Sequence, residues 1–529
     1  MPIPKGRSAT FDIPSDIWIE VAALLDPPDV LALQTTCRIL RDGLDQRAVW
    51  VRALRLMCHR NAVFYPSYPV EDMSTTQLQR AATAPYRFDK LTQRHASLNG
   101  HDINLPVLEP ASKIIVPQSV LDASHCTTFL VPGGRFLVAM NARLRMLSLW
   151  DLGPSGQPLP EPVRLAEIDV RLRYDNMGAF MMGVRLVVCM NGDLLRIGIT
   201  TGKTTIATQV YEIGIEGRAT AFATIGTLVV DARGISSPGV KTMLMHGDLV
   251  YLQVGDEQGS AVIWNCREQW YIPGPCLSGG THLSQQYLFI GDALVGLDQE
   301  SASIWDLVPR LDKENRRNLE TSIPHIRLRE VPPDLIPACV SRHQDHCNIP
   351  DFSAPSVWYH NRSPLYIDAF RLSNNGERNG CARYRLDVAR FPGFSTITAE
   401  LSRTATFTFP PNSSFSTPYN PTHHISPGFT SGALVKSYQD SGHWSMDPTP
   451  YCLYSVPDNG FEDSPGSSSQ ANHVAKLTKL FSYEGEWSRY LGLCTWSGRM
   501  LYGGRDTTLS TLAGARPRPV IYVVDYLSL

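Results

Sequence analysis

The sequence predicts an α+β chain in two parts: a small N-terminal module of three helices, then a large all-β body expected to be a β-propeller. Three observations predict it. Apolar residues at helical spacing are concentrated near the start of the chain. Beyond about residue 116, short β-prone runs alternate with Gly, Pro, Asn and Asp. Within those runs, an apolar-Trp-Asp/Asn ending recurs at a spacing near 40 residues.

A chain of 529 residues exceeds one simple core and accommodates two to four units, or one small module and one large repetitive domain. Hydrophobic residues make up 43% and charged residues 19%, the balance of an ordinary globular protein. Lys and Arg number 48 against 50 Asp and Glu, so no surface that tracks phosphates is expected and nucleic acid is not the expected partner. Gly and Pro, 39 each, favour many turns and short strands. The 11 cysteines are scattered without a C-x-x-C pair, which argues against a disulfide framework, a zinc ribbon or a thioredoxin-type site. The N-terminus lacks an apolar stretch of signal-peptide length, and no membrane-spanning apolar run follows. A cytoplasmic or nuclear protein with reduced thiols and no membrane partner is the expectation. The sequon at Asn412 therefore carries little meaning.

The helical signal spans Phe11 to about Leu56, after ten residues expected to be disordered. Ile13-Pro14 opens it, with Ser15 or Asp16 able to cap the helix that follows. Ile17, Val21, Leu24 and Leu25 fall at i, i+4, i+7 and i+8, and Trp18, Ile19, Ala22 and Ala23 make the other faces almost as apolar. Asp26-Pro27-Pro28 ends this helix. Asp29 is placed to cap a second, carrying Val30, Leu33, Cys37 and Leu40; a third follows Gly43, with Ala48, Val49, Trp50, Ala53 and Leu54. A helix apolar on every face needs cover on every face, and so small a unit lacks the interior to supply it. Either the rest of the chain or a partner protein must provide it.

The order of residues in this segment resembles the F-box family. That family's pattern is Leu-Pro with an acidic residue and an apolar helix, a Pro/Asp turn, a Leu-rich helix with Cys-Arg, and a terminal Trp. It is met by Ile13-Pro14 with Asp16, Leu24-Leu25-Asp26-Pro27 with Asp29, Leu31 and Leu33, Cys37-Arg38, and Trp50. The opening Leu is Ile13 here, and Ile17 stands where a second acidic residue often follows. The resemblance implies that the module binds the Skp adaptor of a cullin-based ubiquitin ligase while the C-terminal part captures a protein substrate. By position it makes Ile13, Pro14, Ile17, Val21, Leu24, Leu25, Val30, Leu33 and Cys37 candidates for the interface or its supporting core, with Trp50 as a large apolar anchor.

Residues 57–115 read as a helical linker, broken at Tyr65-Pro66-Ser67-Tyr68-Pro69; Ser74 and Gln77 have capping-box spacing. The β body is expected over 116–529, with strands at 135–141, 145–152, 185–199, 227–233, 248–254, 260–265, 287–297 and 301–307. Trp150-Asp151, Trp264-Asn265 and Trp305-Asp306 repeat with tryptophan spacings of 114 and 41. Stacking such units buries faces that none buries alone, and about six to eight blades fit the length. This part resembles WD-repeat domains, without the Gly-His element at most positions; a β-sandwich or an irregular β-rich body remains the alternative. Further strands are expected at 364–372, 381–388, 404–409, 452–457 and 519–529, with loop insertions near 309–334, 410–428 and 457–472. Thr201-Gly202-Lys203 is expected to be a hairpin turn and not a phosphate loop, because Ile197 stands where that motif needs glycine.

No catalytic motif emerges: there is no H-E-x-x-H, EF-hand loop or G-x-S-x-G. Cys339, His343, His346 and Cys347 are a weak metal candidate, since structural zinc usually draws ligand pairs from separated segments. No cofactor is expected. The resulting expectation is a non-catalytic substrate receptor of an SCF-type ubiquitin ligase. The alternatives are an F-box scaffold without a role in ubiquitination and, less favoured, a propeller enzyme.

Overall fold

The computed structural model describes residues 13–528 apart from 97–106, 117–125, 171–183, 277–285, 328–336, 343–350, 391–396, 409–414, 417–430, 438–449, 456–472, 483–488, 507–517 and shorter breaks of one to five residues. Among the described residues, no helix is long and apolar enough to cross a membrane.

Among the described residues six α-helices lead: α1 Ser15–Ala22, α2 Pro27–Thr36, α3 Arg38–Leu44, α4 Arg47–Arg60, α5 Thr75–Ala82 and α6 Ala84–His95. Two starts differ from expectation. Pro14 occupies the N-cap of α1, so Ser15 and Asp16 lie inside its first turn, where Asp16 still complements the helix dipole. Asp26, not Asp29, is the N-cap of α2, and Pro27 takes the first helical position that suits its fixed φ. The second expected helix is split, because Cys37 is fully extended (φ −155°, ψ 164°) and ends α2 before α3 begins. The module therefore has four helices, not three, through residue 60. The Ser74–Gln77 capping box is present in both directions, with hydrogen bonds of 2.8 and 3.3 Å.

Among the described residues the β body forms seven sheets in chain order. Sheet I holds 126–130, 136–141, 146–151 and 163–169; sheet II, 185–191, 194–201, 205–214 and 223–231; sheet III, 240–246, 249–254, 260–265 and 270–274. Sheet IV holds 286–290, 293–297, 301–306 and 339–342; sheet V, 351–353, 365–372, 378–390 and 397–408; sheet VI, 415–416, 431–437, 450–455 and 476–482. Sheet VII takes 489–494, 499–506 and 518–525, and its fourth strand is Ser112–Val116, paired antiparallel with Arg518–Asp525. The β body thus begins at 112, not 116. The first strands of sheets I and II, II and III, and III and IV touch in turn, and the first strand of sheet VII touches that of sheet I.

Packing between sheets explains the tryptophan repeat. Trp150 is buried between sheets VII and I, Trp264 between II and III, and Trp305 between III and IV. The acid or amide that follows each ends its strand by accepting a backbone N–H two residues on. Asp151 accepts from Gly153 (2.8 Å), Asn265 from Arg267 (3.0 Å) and Asp306 from Val308 (3.0 Å). The repeat couples an inter-sheet anchor to a turn that stops the strand. At Gly202 the hairpin needs φ +102°, and a Cβ there would stand 2.1 Å from the Thr205 carbonyl oxygen.

Two expected insertions, 309–334 and 410–428, contain strands, and a further strand lies just past the end of another. Within 309–334, Arg317–Asn318 adds to sheet III and His325–Arg327 adds in parallel to sheet II. Just beyond 457–472, His473–Val474 adds in parallel to sheet V. These additions cover outer strands that would otherwise present unpaired backbone groups. The expected insertion at 410–428 lies mostly outside the described residues, apart from strand Phe415–Ser416 of sheet VI.

Described residues within 57–115 pack onto the sheets, as a linker that fixes the module's angle does. Phe64 N–H donates to the Pro132 carbonyl (2.9 Å), and Trp358 Nε1 donates to the Ala62 carbonyl (2.5 Å). The Phe64 ring meets Phe136 and Trp358 edge-on, each at 6.2 Å. Gly133 (φ +112°) permits this approach, since a Cβ there would collide with Ser67 at 2.4–2.5 Å. On α6, Phe88 packs on Tyr526 and the Thr92 carbonyl accepts from Thr478 Oγ1 (2.8 Å). The orientation of the helical module on the β body is set by these buried contacts.

Candidate protein-docking site

The core of the module is complete within the chain. Trp50 and Val30 are fully buried with Leu40, Leu44, Leu54 and Leu78. Two of the candidate interface residues, Trp50 and Val30, are therefore core and cannot face a partner. Helical phase is the reason: α4 also buries Val49, Ala53, Leu54, Met57 and Cys58, and Trp50 lies on that inward face. Burying each such large apolar side chain is worth roughly 1.5–3 kcal/mol to the module itself.

The outward set remains apolar and open. Leu24 is 78% exposed, Ile17 50%, Ile13 41% and Val21 37%, and Pro14 is exposed beside them. Ile17, Val21 and Leu24 are separated by four and three residues and make one stripe along α1 and the turn after it. Ala22 points the other way, into the core. Leu25, Leu33 and Cys37 are half-buried and pack on the core's edge. Ile39, which sequence periodicity did not single out, is 47% exposed on α3. Its signal was the same excess of apolar residues over what one small core can hold. Such clustering of large apolar side chains in solvent marks a contact surface more often than a monomer's free face.

The stripe is held from behind. Arg60 pairs with Asp26 in the turn between α1 and α2, and Tyr86 of α6 lies beside the same carboxylate; burial first, then Asp26, raises the Tyr86 phenol. Glu20, on the flank of the stripe, pairs with Arg52 of α4 at 3.2 Å. Next to it, Arg47, Ala48, Val51, Arg52 and Arg55 line a shallow groove along α4. Arg47 donates to the backbone carbonyls of Val70, Glu71 and Met73. Arg55 donates to the Tyr65 hydroxyl at 3.0 Å, which raises the guanidinium still further.

Among the described residues, no group of three or more metal-competent side chains comes together. Of the weak metal candidate, Cys339 lies in the fourth strand of sheet IV, while His343, His346 and Cys347 lie outside the described residues. The eight cysteines whose side chains are described are unbridged.

No family model matches the chain, and no curated protein matches it in sequence. Among solved structures, it is similar to the WD40 domain of SCAP from fission yeast, with 11% identity over 79% of this chain and 98% of that one, at a TM-score of 0.33. It is also similar to a chain of Polycomb Repressive Complex 2 from Chaetomium thermophilum, with 14% identity over 65% of this chain and 72% of that one, at a TM-score of 0.31. At these scores the likenesses decide neither the detailed architecture nor what the chain binds.

Proposed function

We propose that this chain is the substrate-recognition subunit of an SCF-type ubiquitin ligase. Its helical module docks on a Skp-type adaptor, which links it to a cullin, and its β body holds a protein target. The observation that carries this reading is the open stripe Ile13, Pro14, Ile17, Val21 and Leu24 on a module whose core is already filled. Pro14 and Leu24 stand in the F-box order described above, with Ile13 in place of its opening Leu, and among the described residues neither the module nor the sheets cover the stripe. Binding of a partner there would stabilise the module by mass action.

The seven sheets are read as the blades of a β-propeller. Their consecutive order, the contact of sheet VII with sheet I, and the Ser112–Val116 strand that completes the last sheet support this architecture. In this reading the chain has no active site of its own. It acts by proximity, holding the target near a conjugating enzyme carried elsewhere in the assembly. The cytoplasm or nucleus is its place of action.

The test is capture of a purified Skp-type adaptor by the full chain. Wild type is expected to retain the adaptor, and the Pro14→Ala, Leu24→Asp double variant to lose it. Equal retention by both sinks the proposal. Stabilisation of a target protein in cells lacking the chain then tests the ubiquitination step.

A further inference from the structure

We infer that the groove on α4 is a second part of the docking surface, and that its occupant is an acidic segment of the same partner that covers the apolar stripe. This rests on the adaptor-docking reading above. Three guanidinium-bearing side chains, Arg47, Arg52 and Arg55, line the groove together with Ala48 and Val51, and the Glu20 carboxylate reaches its edge through Arg52.

The charge of these groups is only partly cancelled by contact. Arg47 meets three neutral carbonyl oxygens. Arg55 meets a neutral phenol, both by its hydrogen bond and by lying 5.5 Å over the Tyr65 ring. Arg52 has a carboxylate, Glu20, but that pair is exposed on both sides (52% and 69%), where an ion pair is worth little and exchanges readily. The groove thus presents fixed positive charge around a small apolar floor.

Its position gives the partner's identity. Glu20 sits on α1 between the stripe residues Ile17 and Leu24, and its hand-over to Arg52 makes the stripe and the groove one continuous surface. A protein seated on Ile17, Val21 and Leu24 passes next over Arg52 and Arg55. An acidic segment there replaces Glu20 as the acceptor for Arg52 and gives Arg55 a carboxylate in contact, beyond the weaker pull of Glu71. Such contacts add orientation and association rate more than raw affinity. They also set a salt dependence that the apolar stripe alone lacks.

The experiment measures affinity of the full chain for a purified Skp-type adaptor at about 0.05 M and about 0.5 M salt. Arg52→Glu with Arg55→Glu is expected to weaken binding about tenfold or more at low salt, with the gap closing at high salt. Arg52→Gln with Arg55→Gln is expected to fall between, and melting temperatures matching wild type establish that the exposed changes leave the fold intact. Glu20→Gln is expected to bind at least as tightly as wild type, since it frees Arg52. Two results overturn the groove: charge-reversed binding equal to wild type at both salt levels, or a loss with Glu20→Gln as large as with the double reversal. Failure of the docking reading itself looks different, because Leu24→Asp then binds as wild type does.

Discussion

Arg499 and Asp525 form a fully buried, two-point ion pair, Nε to Oδ1 at 2.5 Å and Nη2 to Oδ2 at 2.7 Å. Arg499 Nη1 also donates to the carbonyls of Gly134 (2.7 Å) and Gly153 (2.8 Å). Asp525 accepts from Ser155 Oγ and Gly156 N of the next sheet and from Ser112 Oγ of the closing strand. One pair therefore ties three strands of sheet VII to two turns of sheet I. Removing one partner leaves a buried charge without its counter-ion, so Arg499→Met is expected to cost about 3–5 kcal/mol. Arg499→Lys keeps the charge but loses the fork and should fall between. Arg499→Met combined with Asp525→Leu should be less damaging than the sum of the two single changes. Denaturant unfolding of the four variants reads this out.

Leu24 and Trp50 allow the proposed docking to be tested apart from stability. Leu24 is open to solvent and Trp50 is fully buried. Leu24→Ser is expected to shift stability by no more than about 0.5 kcal/mol, while abolishing adaptor capture. Trp50→Ala should cost about 3–5 kcal/mol through the cavity it leaves. Thermal melting and capture measured side by side test the division. A large loss of stability with Leu24→Ser would show that the stripe is already covered within the chain.

Trp358 joins the helical module to the middle of the β body, through its bond to Ala62 and its rings against Phe64 and Phe129. Trp358→Phe keeps an aromatic ring but removes the hydrogen bond and leaves the buried Ala62 carbonyl unpaired, which is expected to cost about 1–3 kcal/mol. The readout that separates this joint from ordinary core loss is hydrogen exchange at Ala62–Ser67. Exchange there should rise in Trp358→Phe while the strands of sheets III and IV keep wild-type protection.

What the sequence displays and what it hides follow from the range of each interaction. The apolar excess over residues 13–25 and the turn-stopped tryptophan endings are local, and both are legible. The inward phase of Val30 and Trp50 depends on which face of each helix meets its neighbours, and the extended Cys37 splits a stretch whose periodicity runs straight through. Periodicity names a stripe but does not say which stripe wins the core. Longer-range pairing is invisible in the chain: Ser112 and Asp525 are 413 positions apart, and nothing near residue 112 signals the strand it pairs with. The strands within 309–334 have the same origin, since two- and three-residue segments become strands only because an outer edge is waiting for them.

The buried thiols give the molecule a directional response to alkaline pH. Burial pushes the Cys189 thiol up to about 12 and the Cys266 thiol up to about 11, in both cases against the opposing pull of the Arg196 guanidinium. Burial also raises the hydroxyls of Tyr68 and Tyr251. In the unfolded chain a thiol titrates near about 8.5. Between the two values the native state keeps a proton that the unfolded state gives up, so the unfolded state alone gains from rising pH. The contribution of these groups is intact below about 8.5 and is lost progressively as pH climbs through the folded values. Melting temperature is therefore expected to fall steadily from about pH 9 upward, and Cys266→Ala should flatten that fall. The same burial predicts that an alkylating reagent at about pH 8 modifies Cys189 and Cys266 only after denaturant is added. Equal labelling of native and unfolded protein would place these thiols in solvent and remove the basis of the pH effect.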